Sequence, residues 1–411
     1  MKPTRMLVLV LVIGFLLVLP AILSTSLVNA AIQMLIAALF ASAFNVLAGQ
    51  GGMLSFGHAA YFGIGTFATI HAMNALDGTG LFPAPLLPAV GAFAGCLLGL
   101  VAGWFSTQRS GVYFSMITLA LAELLHSLAP HLKDFFGGEG GVSAMRMPAW
   151  GISFAGAIDI YYLTLAWVLL CLGLLYYLTR TPLGRLCQGL RENTHRLRFL
   201  GYNVHVLRLM VFTISATFSG VAGGLLALSN EAANYVIFDM NLSAQVVLNS
   251  YIGGIGAFFG PALGAAVMTF FGYAVSDMTR TWLLYQGVVF VLVMMFLPSG
   301  LFSIASWWGS NRDRHSPTAL LRILIVWILG CAIGTCGFVF MVEFLARVLA
   351  QDYQSLLTDG AAWPAVMLFG RQWLPGAMTT WLLPVALIVI GVTVVVLGTR
   401  KWHSMCEERA A

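Results

Sequence analysis

Three consecutive stretches decide the fold class: IYYLTLAWVLLCLGLLYYL at Ile160–Leu178, RTPLGRLCQGLRENTHRLRFLGYNVHVLR at Arg180–Arg208, and LMVFTISATFSGVAGGLLAL at Leu209–Leu228. The outer two carry no charge, and each has the roughly 20 residues that a helix needs to cross a bilayer. The middle one holds six arginines against a single acid, Glu192. Two apolar spans joined by a basic loop are the repeating unit of a polytopic membrane protein. The remainder of the chain keeps to that pattern, with 60% hydrophobic and only 9% charged residues. Soluble domains carry about a quarter charged residues. A soluble enzyme, a disordered regulator and a nucleic-acid-binding domain are thereby excluded as readings of the whole chain.

Working outward from the basic loop, the hydropathy predicts earlier spans at Met6–Leu23, Leu27–Ala48, Gly52–Met73, Leu86–Phe105 and Gly111–Ala129. Later ones fall at Ala244–Phe258, Gly260–Val275, Trp282–Leu297, Ile323–Met341 and Met378–Leu397, twelve in all. Lysine and arginine resist translocation. With the N-terminus inside, 15 of the 20 basic residues fall on the cytoplasmic side and 5 outside, so both termini are expected in the cytoplasm. Two places stay open. Ala244–Phe258 and Gly260–Val275 meet at a break around Pro261 and read either as two spans or as one re-entrant hairpin. The first span, with Lys2 and Arg5 before it, reads either as a retained helix or as a cleaved signal peptide.

Candidate site residues are few. The six cysteines include no CxxC pair, and none of the three lysines stands in a phosphate-binding loop. No metal site and no cofactor are expected, and ATP, if it drives the protein, is hydrolysed by another chain. Glu123 lies in mid-span in SMITLALAELLHS. An acid there either makes a helix–helix hydrogen bond or lines a solute path, and His126 could share either role. GQGGMLSFGHAAYFGIG, Gly49–Gly65, puts Ser55 and His58 in a glycine-broken segment, where free backbone groups can meet a polar solute. GGIGAFFGPALG, Gly253–Gly264, has a similar look and hints at an internal repeat; Gly253 and Gly254 join the candidate path. Gly91, Gly95, Gly99 and Gly103 form a small-residue stripe, for packing within the chain or against another subunit. In the basic loop an amphipathic helix is expected from Arg191 to Leu200, closed by Gly201. Anionic lipid explains the charge there, whereas a docking helix for a cytoplasmic partner also explains the pattern. Phe136–Met145 reads as a flexible loop or a gate, and Asn241-Leu242-Ser243 as a chance glycosylation sequon.

Five ordered motifs carry a resemblance: NVLAGQGGMLSFGHAAYFGIG; SGVYFSMITLALAELL followed by GGEGGVS; TPLGRLCQGLRENTHRLRFLGYNVHVLRLMVFTISATFSGVAGGL; YIGGIGAFFGPALGA; and FLPSGLF. From about Val28 to Phe302 the chain resembles the larger of the two permease types in branched-chain amino acid ABC importers. The resemblance implies an all-α permease core of about ten helices, residues 1–302, of the vitamin B12-type importer architecture in the bacterial inner membrane. It implies two ATPase subunits, a second permease and a periplasmic solute-binding protein as partners. Loop 180–208 would hold the coupling helix, with Glu192, Asn193, Leu200 and Gly201 seated in the ATPase and Arg185 and Arg191 close by. Relatives that carry urea, amides or aromatic acids leave the solute open. An ATP-independent channel or secondary transporter is the rival from a different class, thinly supported by one mid-span acid. The family usually ends near FLPSGLF, whereas this chain runs on through residues 303–411 with two further spans, whose outer segment Glu343–Gly376 could dock the binding protein or cap the bundle.

Overall fold

The computed structural model describes residues 3–76, 83–149, 153–297, 299–303, 317–355 and 363–407. The chain divides into two compact units, Met1–Ser303 and Ile304–Ala411. The first unit runs α1 (Pro3–Ile22), α2 (Thr25–Asn45), α3 (His58–Ala75), α4 (Pro88–Ser106), α5 (Val112–Leu128), α6 (Lys133–Phe136) and α7 (Ala157–Arg180). Then come α8 (Pro182–Glu192), α9 (Thr194–Phe199), α10 (Val204–Asn230), α11 (Met240–Gly253), α12 (Gly260–Ser276) and α13 (Trp282–Phe296). The second holds α14 (Pro317–Val348), α15 (Gln351–Ser355) and α16 (Met378–Glu407). Among the described residues, strands form two short antiparallel pairs. They are β1 (Val142–Ser143) with β2 (Ala232–Ala233), and β3 (Val366–Leu368) with β4 (Arg371–Trp373).

Each of the twelve expected apolar segments overlaps a helix, yet only six described helices are long and apolar enough to cross a membrane alone. A seventh candidate is α5 together with Lys133–Gly140, bent by 93°. Part of the shortfall has a physical cause. Gly51, Gly52 and Gly57 delay the start of α3 to His58 rather than Gly52, and Gly254 stops α11 after 14 residues. At 1.5 Å per residue that helix is about 21 Å long, short of the roughly 30 Å hydrocarbon layer.

The core is centred on α2, whose Ile32, Leu39 and Phe44 are fully buried among residues of α7, α10, α11 and α12. The glycine stripe of α4 packs within the chain. A methyl group on Gly95 would stand 2.6 Å from the Ala216 carbonyl oxygen and 3.0 Å from Gly220 Cα, while Gly103 abuts Phe212. Gly65 of α3 meets the same Gly220. Three helix backbones therefore touch where dispersion contacts replace a hydrophobic driving force. Pro20 lies inside α1 and leaves the Leu16 carbonyl without its helical donor. The Tyr161 hydroxyl of α7 donates to that carbonyl at 2.7 Å and so fastens α1 to the bundle.

In the second unit, α14 and α16 run antiparallel along a glycine seam. Gly330 and Gly334 lie against Gly391, Gly337 against Pro384 and Leu387, and Gly398 against Trp327. The β3–β4 hairpin packs on the end of α14 through Phe340, Phe344, Val366 and Leu368. Trp373 stands edge-on to Phe340 at 4.8 Å.

Candidate functional site

The basic loop folds as two helices, not as one from Arg191 to Leu200. Thr181 caps α8, its hydroxyl oxygen accepting from Gly184 N at 3.4 Å, and Pro182 takes the first helical position. Asn193 is extended, with φ −159°, and interrupts the expected helix. Its side-chain oxygen accepts from Arg196 N at 3.1 Å and caps α9. Asn is a strong N-cap residue because a short side-chain acceptor satisfies an orphan amide, and that preference overrides the amphipathic pattern running through it.

Gly201 closes α9 as expected. It stands at φ +85°, and the bonds Gly201 N to Arg198 O (2.9 Å) and Tyr202 N to Leu197 O (3.1 Å) form the paired Schellman arrangement. Gly184, Cys187, Leu190 and Leu197 are buried inward. Burial raises the Cys187 thiol to about 11. Outward, the loop presents Arg185, Arg191, Glu192, Asn193, Leu200 and Gly201, all exposed. Sequence reasoning missed the most prominent side chain, Phe199, which is 92% exposed beside Leu200 at 65%. Two bare apolar side chains among arginines make a protruding knob, which solvent alone does not favour.

One arginine also reaches inward. Arg191 Nη1 donates to the Gly49 carbonyl at 2.7 Å, and Gly52, at φ +68°, lies against the Arg191 side chain. Gly49 belongs to a π-helical turn, Val46–Gln50, that ends α2. The loop is thus bonded directly to the first helix break. The second break, Gly254–Phe259, adjoins the first, because Asn45 Nδ2 points to the Ala257 carbonyl at 3.5 Å.

Of the five candidate path residues, four lie in or beside the two adjoining helix breaks and are packed within the protein. Ser55 is wholly buried and accepts from Gly57 N at 3.3 Å. His58 is 1% exposed, with its Nε2 2.8 Å from Ser215 Oγ and Phe44 and Tyr61 edge-on to the ring. Gly253 and Gly254 press against the backbone of Gly260 and Ser299. These four pack the interior of the bundle. Glu123 stands apart, partly exposed on α5. His126 turns from it toward Tyr235, with ring centroids 5.7 Å apart.

Phe136–Met145 is a fastened cap. Phe136 stands edge-on to Phe67 at 4.9 Å, β1 pairs with β2, and Asn74 Nδ2 donates to Ser143 O at 3.0 Å. Beside it Arg146 and Glu231 form an ion pair at 2.9 Å, with the Arg146 amide donating to the same carboxylate oxygen. The Ser243 hydroxyl of the apparent sequon is fully buried and accepts from Ala59 N at 2.9 Å, near the start of α3. Among the described residues no group of three or more His, Cys, Asp or Glu could hold a metal ion.

Residues 26–298 match the family described as branched-chain amino acid transport system / permease component. The chain is 29% identical over 308 residues to the high-affinity branched-chain amino acid transport system permease protein LivM of Salmonella typhimurium, covering 69% of this chain and 71% of that protein. It is 25% identical over 307 residues to a probable branched-chain amino acid transport permease protein LivM of Methanocaldococcus jannaschii, covering 64% and 84%. With the permease protein LivH of Salmonella typhimurium it shares 24% over 284 residues, covering 64% and 90%. No solved structure matches the chain. The matched span takes in both helix breaks, the uncovered acid of α5 and the whole basic loop, and the chain belongs to the branched-chain amino acid ABC permease family, in its larger, LivM-like type.

Proposed function

We propose that this multi-pass permease is one half of the membrane pathway of an ATP-driven importer for branched-chain amino acids. Two ATPase subunits bind on the cytoplasmic side and are coupled through the α8–α9 loop, a second and smaller permease completes the pathway, and a periplasmic binding protein delivers the solute. The observation that carries this reading is the Phe199–Leu200 knob, exposed on a loop whose Arg191 is bonded to the broken end of α2. Such a loop takes hold of a partner on one side and of the membrane helices on the other. ATP binding in the partner shifts the permease between inward- and outward-open arrangements only if the partner binds the two with different affinity. The bond from Arg191 to the π-helical turn gives that difference a physical route.

In this reading residues 1–302 form the vitamin B12-type core of about ten helices, and residues 303–411 are an added pair of spans. The protein sits in the bacterial inner membrane with both termini in the cytoplasm, in accord with the 15 against 5 division of basic residues. ATP hydrolysis lies in the partner chains. Relatives named for branched-chain amino acids favour those solutes over urea, amides or aromatic acids. A channel or secondary transporter leaves the knob without a purpose.

The test is mass spectrometry of the tagged chain drawn from its native membranes in mild detergent, alongside uptake by Gly201→Pro and Glu192→Arg variants. Recovery of two ATPases, a second permease and a binding protein is expected, with uptake lost in both variants at normal expression. The chain recovered alone, or both variants transporting normally, refutes the reading.

A further inference from the structure

The face of α5 that the chain leaves uncovered carries the acid of that helix. Val112, Tyr113, Met116, Leu124 and Leu128 are 42–73% exposed along it, whereas Phe114, Ser115, Thr118 and Ala122 are buried on the opposite side. Ala120, Glu123, Leu124, Ser127 and Leu128, all on this one helix, border a shallow, open recess on that face. Among the described residues Glu123 makes neither a hydrogen bond nor an ion pair. Intramembrane acids face a bundle interior or a wet path rather than lipid, because a carboxylate in hydrocarbon costs at least a few kcal/mol. A partner-covered, hydrated path therefore fits this face better than lipid does.

The chemistry of the recess falls in two rows. Glu123 and Ser127 are four residues apart and lie one above the other on the helix, and Leu124 and Leu128 form the parallel row beside them. One row offers a carboxylate and a hydroxyl, the other two branched aliphatic side chains. A solute matching both has a cationic donor group a few ångströms from an aliphatic branch. Urea, simple amides and aromatic acids have no cationic group to offer the carboxylate.

We propose that Glu123 holds the α-ammonium group of an amino acid in transit, with Ser127 beside it and the solute's aliphatic side chain lying against Leu124 and Leu128. The proposal rests on the transport reading above and adds the solute class that the permease itself admits. Selection for the ammonium group then occurs twice, once in the external binding protein and again inside the membrane. The recess is shallow and open, as a site on a path must be if the solute is to leave it.

The test uses the complete transporter, isolated from its native membranes, placed in liposomes and supplied with ATP. The probes are photo-leucine, the diazirine analogue of leucine, and its counterpart without the amino group. After irradiation, photo-leucine adducts are expected on residues 120–128, protected by excess leucine. The deaminated probe is expected to leave none there. In a Glu123→Gln variant that assembles normally, adduct yield and leucine uptake should each fall about tenfold or more, the worth of a hydrogen bond to a charged group. Equal labelling by both probes, or unchanged labelling and uptake in the variant, overturns the proposal. So does failure of the variant to assemble, which would assign the carboxylate to a contact with the second permease. If wild-type liposomes move no leucine at all, the transport reading itself falls. If they move leucine while α5 stays unlabelled, only this proposal does.

Discussion

Replacing Gly95 by alanine places one methyl group into the seam between α4 and α10. The new Cβ would lie 2.6 Å from the Ala216 carbonyl oxygen, 3.0 Å from Gly220 Cα and 3.2 Å from Gly220 N, all backbone atoms. Ordinary contact begins near 3.4 Å, so the two helices must separate by most of an ångström. No side chain can rotate to relieve the clash, and the same shift loosens the meeting of Gly65 and Gly91 with Gly220. Overpacking of this kind costs about 1–3 kcal/mol. Alanine also gains about 1 kcal/mol of helix propensity over glycine, which would mask part of the effect. Gly173→Ala in α7 removes that ambiguity, because a Cβ there meets nothing within 4 Å. The propensity gain is common to both variants, so their difference isolates the clash. Purified protein in mixed micelles, titrated with a denaturing detergent and followed by tryptophan fluorescence, should show Gly95→Ala less stable than Gly173→Ala by about 1–3 kcal/mol. Equal midpoints for the two variants would falsify the backbone-contact account of the stripe.

Arg191→Ala removes the donor to the Gly49 carbonyl but leaves the Phe199–Leu200 knob intact. It should lower leucine uptake several-fold while ATPases still copurify; loss of copurification would mean that Arg191 serves docking alone. The thermodynamic cost is about 1 kcal/mol, toward the low end for a charge-assisted bond because the guanidinium is partly solvated. The Cys187 thiol, raised by burial from 9.0 to about 11, keeps its proton longer when folded than when unfolded. Its stabilising contribution is therefore complete below pH 9 and fades as pH rises through 11. Thermal denaturation of wild type minus Cys187→Ala should show that loss between pH 9 and 11, and a pH-independent difference would argue against burial as the cause. A chain ending after Ser310 is expected to assemble with its partners; in a pull-down, loss of the second permease would show that the added unit belongs to the assembly.

The apolar helices were legible because spans are written locally, as runs of uncharged residues. So was Glu123, since an acid inside such a run is rare enough to be noticed without any neighbour in view. The stripe Gly91–Gly103 announced close packing but not its partner, because Ala216 and Gly220 lie more than a hundred residues away. Separation along the chain also hid the Arg146–Glu231 pair, 85 residues apart, and the burial of His58 against Ser215, 157 residues apart. Ser55 and His58 stood out as polar side chains at membrane depth, but their partners did not: Ser55 accepts from Gly57 N, and His58 pairs with that distant Ser215. The interruption at Asn193 could have been read, since Asn followed by Thr before a short apolar-basic run is an N-cap signal. The stronger amphipathic pattern hid it.

Under the transport reading proposed above, the helix breaks give one basic loop a route to the whole bundle. Irregular backbone at membrane depth survives only when its polar groups find partners within the protein, and here those partners come from several separate elements. Ser115 of α5 donates to Leu54 O, and Phe56 N donates to Thr118 of the same helix. Ser243 of α11 takes the Ala59 amide, Arg191 of α8 takes the Gly49 carbonyl, and Leu301 beyond α13 donates to Ile252 O at 2.7 Å. Each is a single hydrogen bond, worth about 1 kcal/mol net and open to exchange. The seam of α3, α4 and α10 is different, because backbone in contact with backbone has no room to slide. Under the alternating-access reading proposed above, those three helices move as one body and the breaks absorb the difference between states. Arg191 then stands where a partner on the loop would first be felt, and the Arg191→Ala assay reads that step apart from docking.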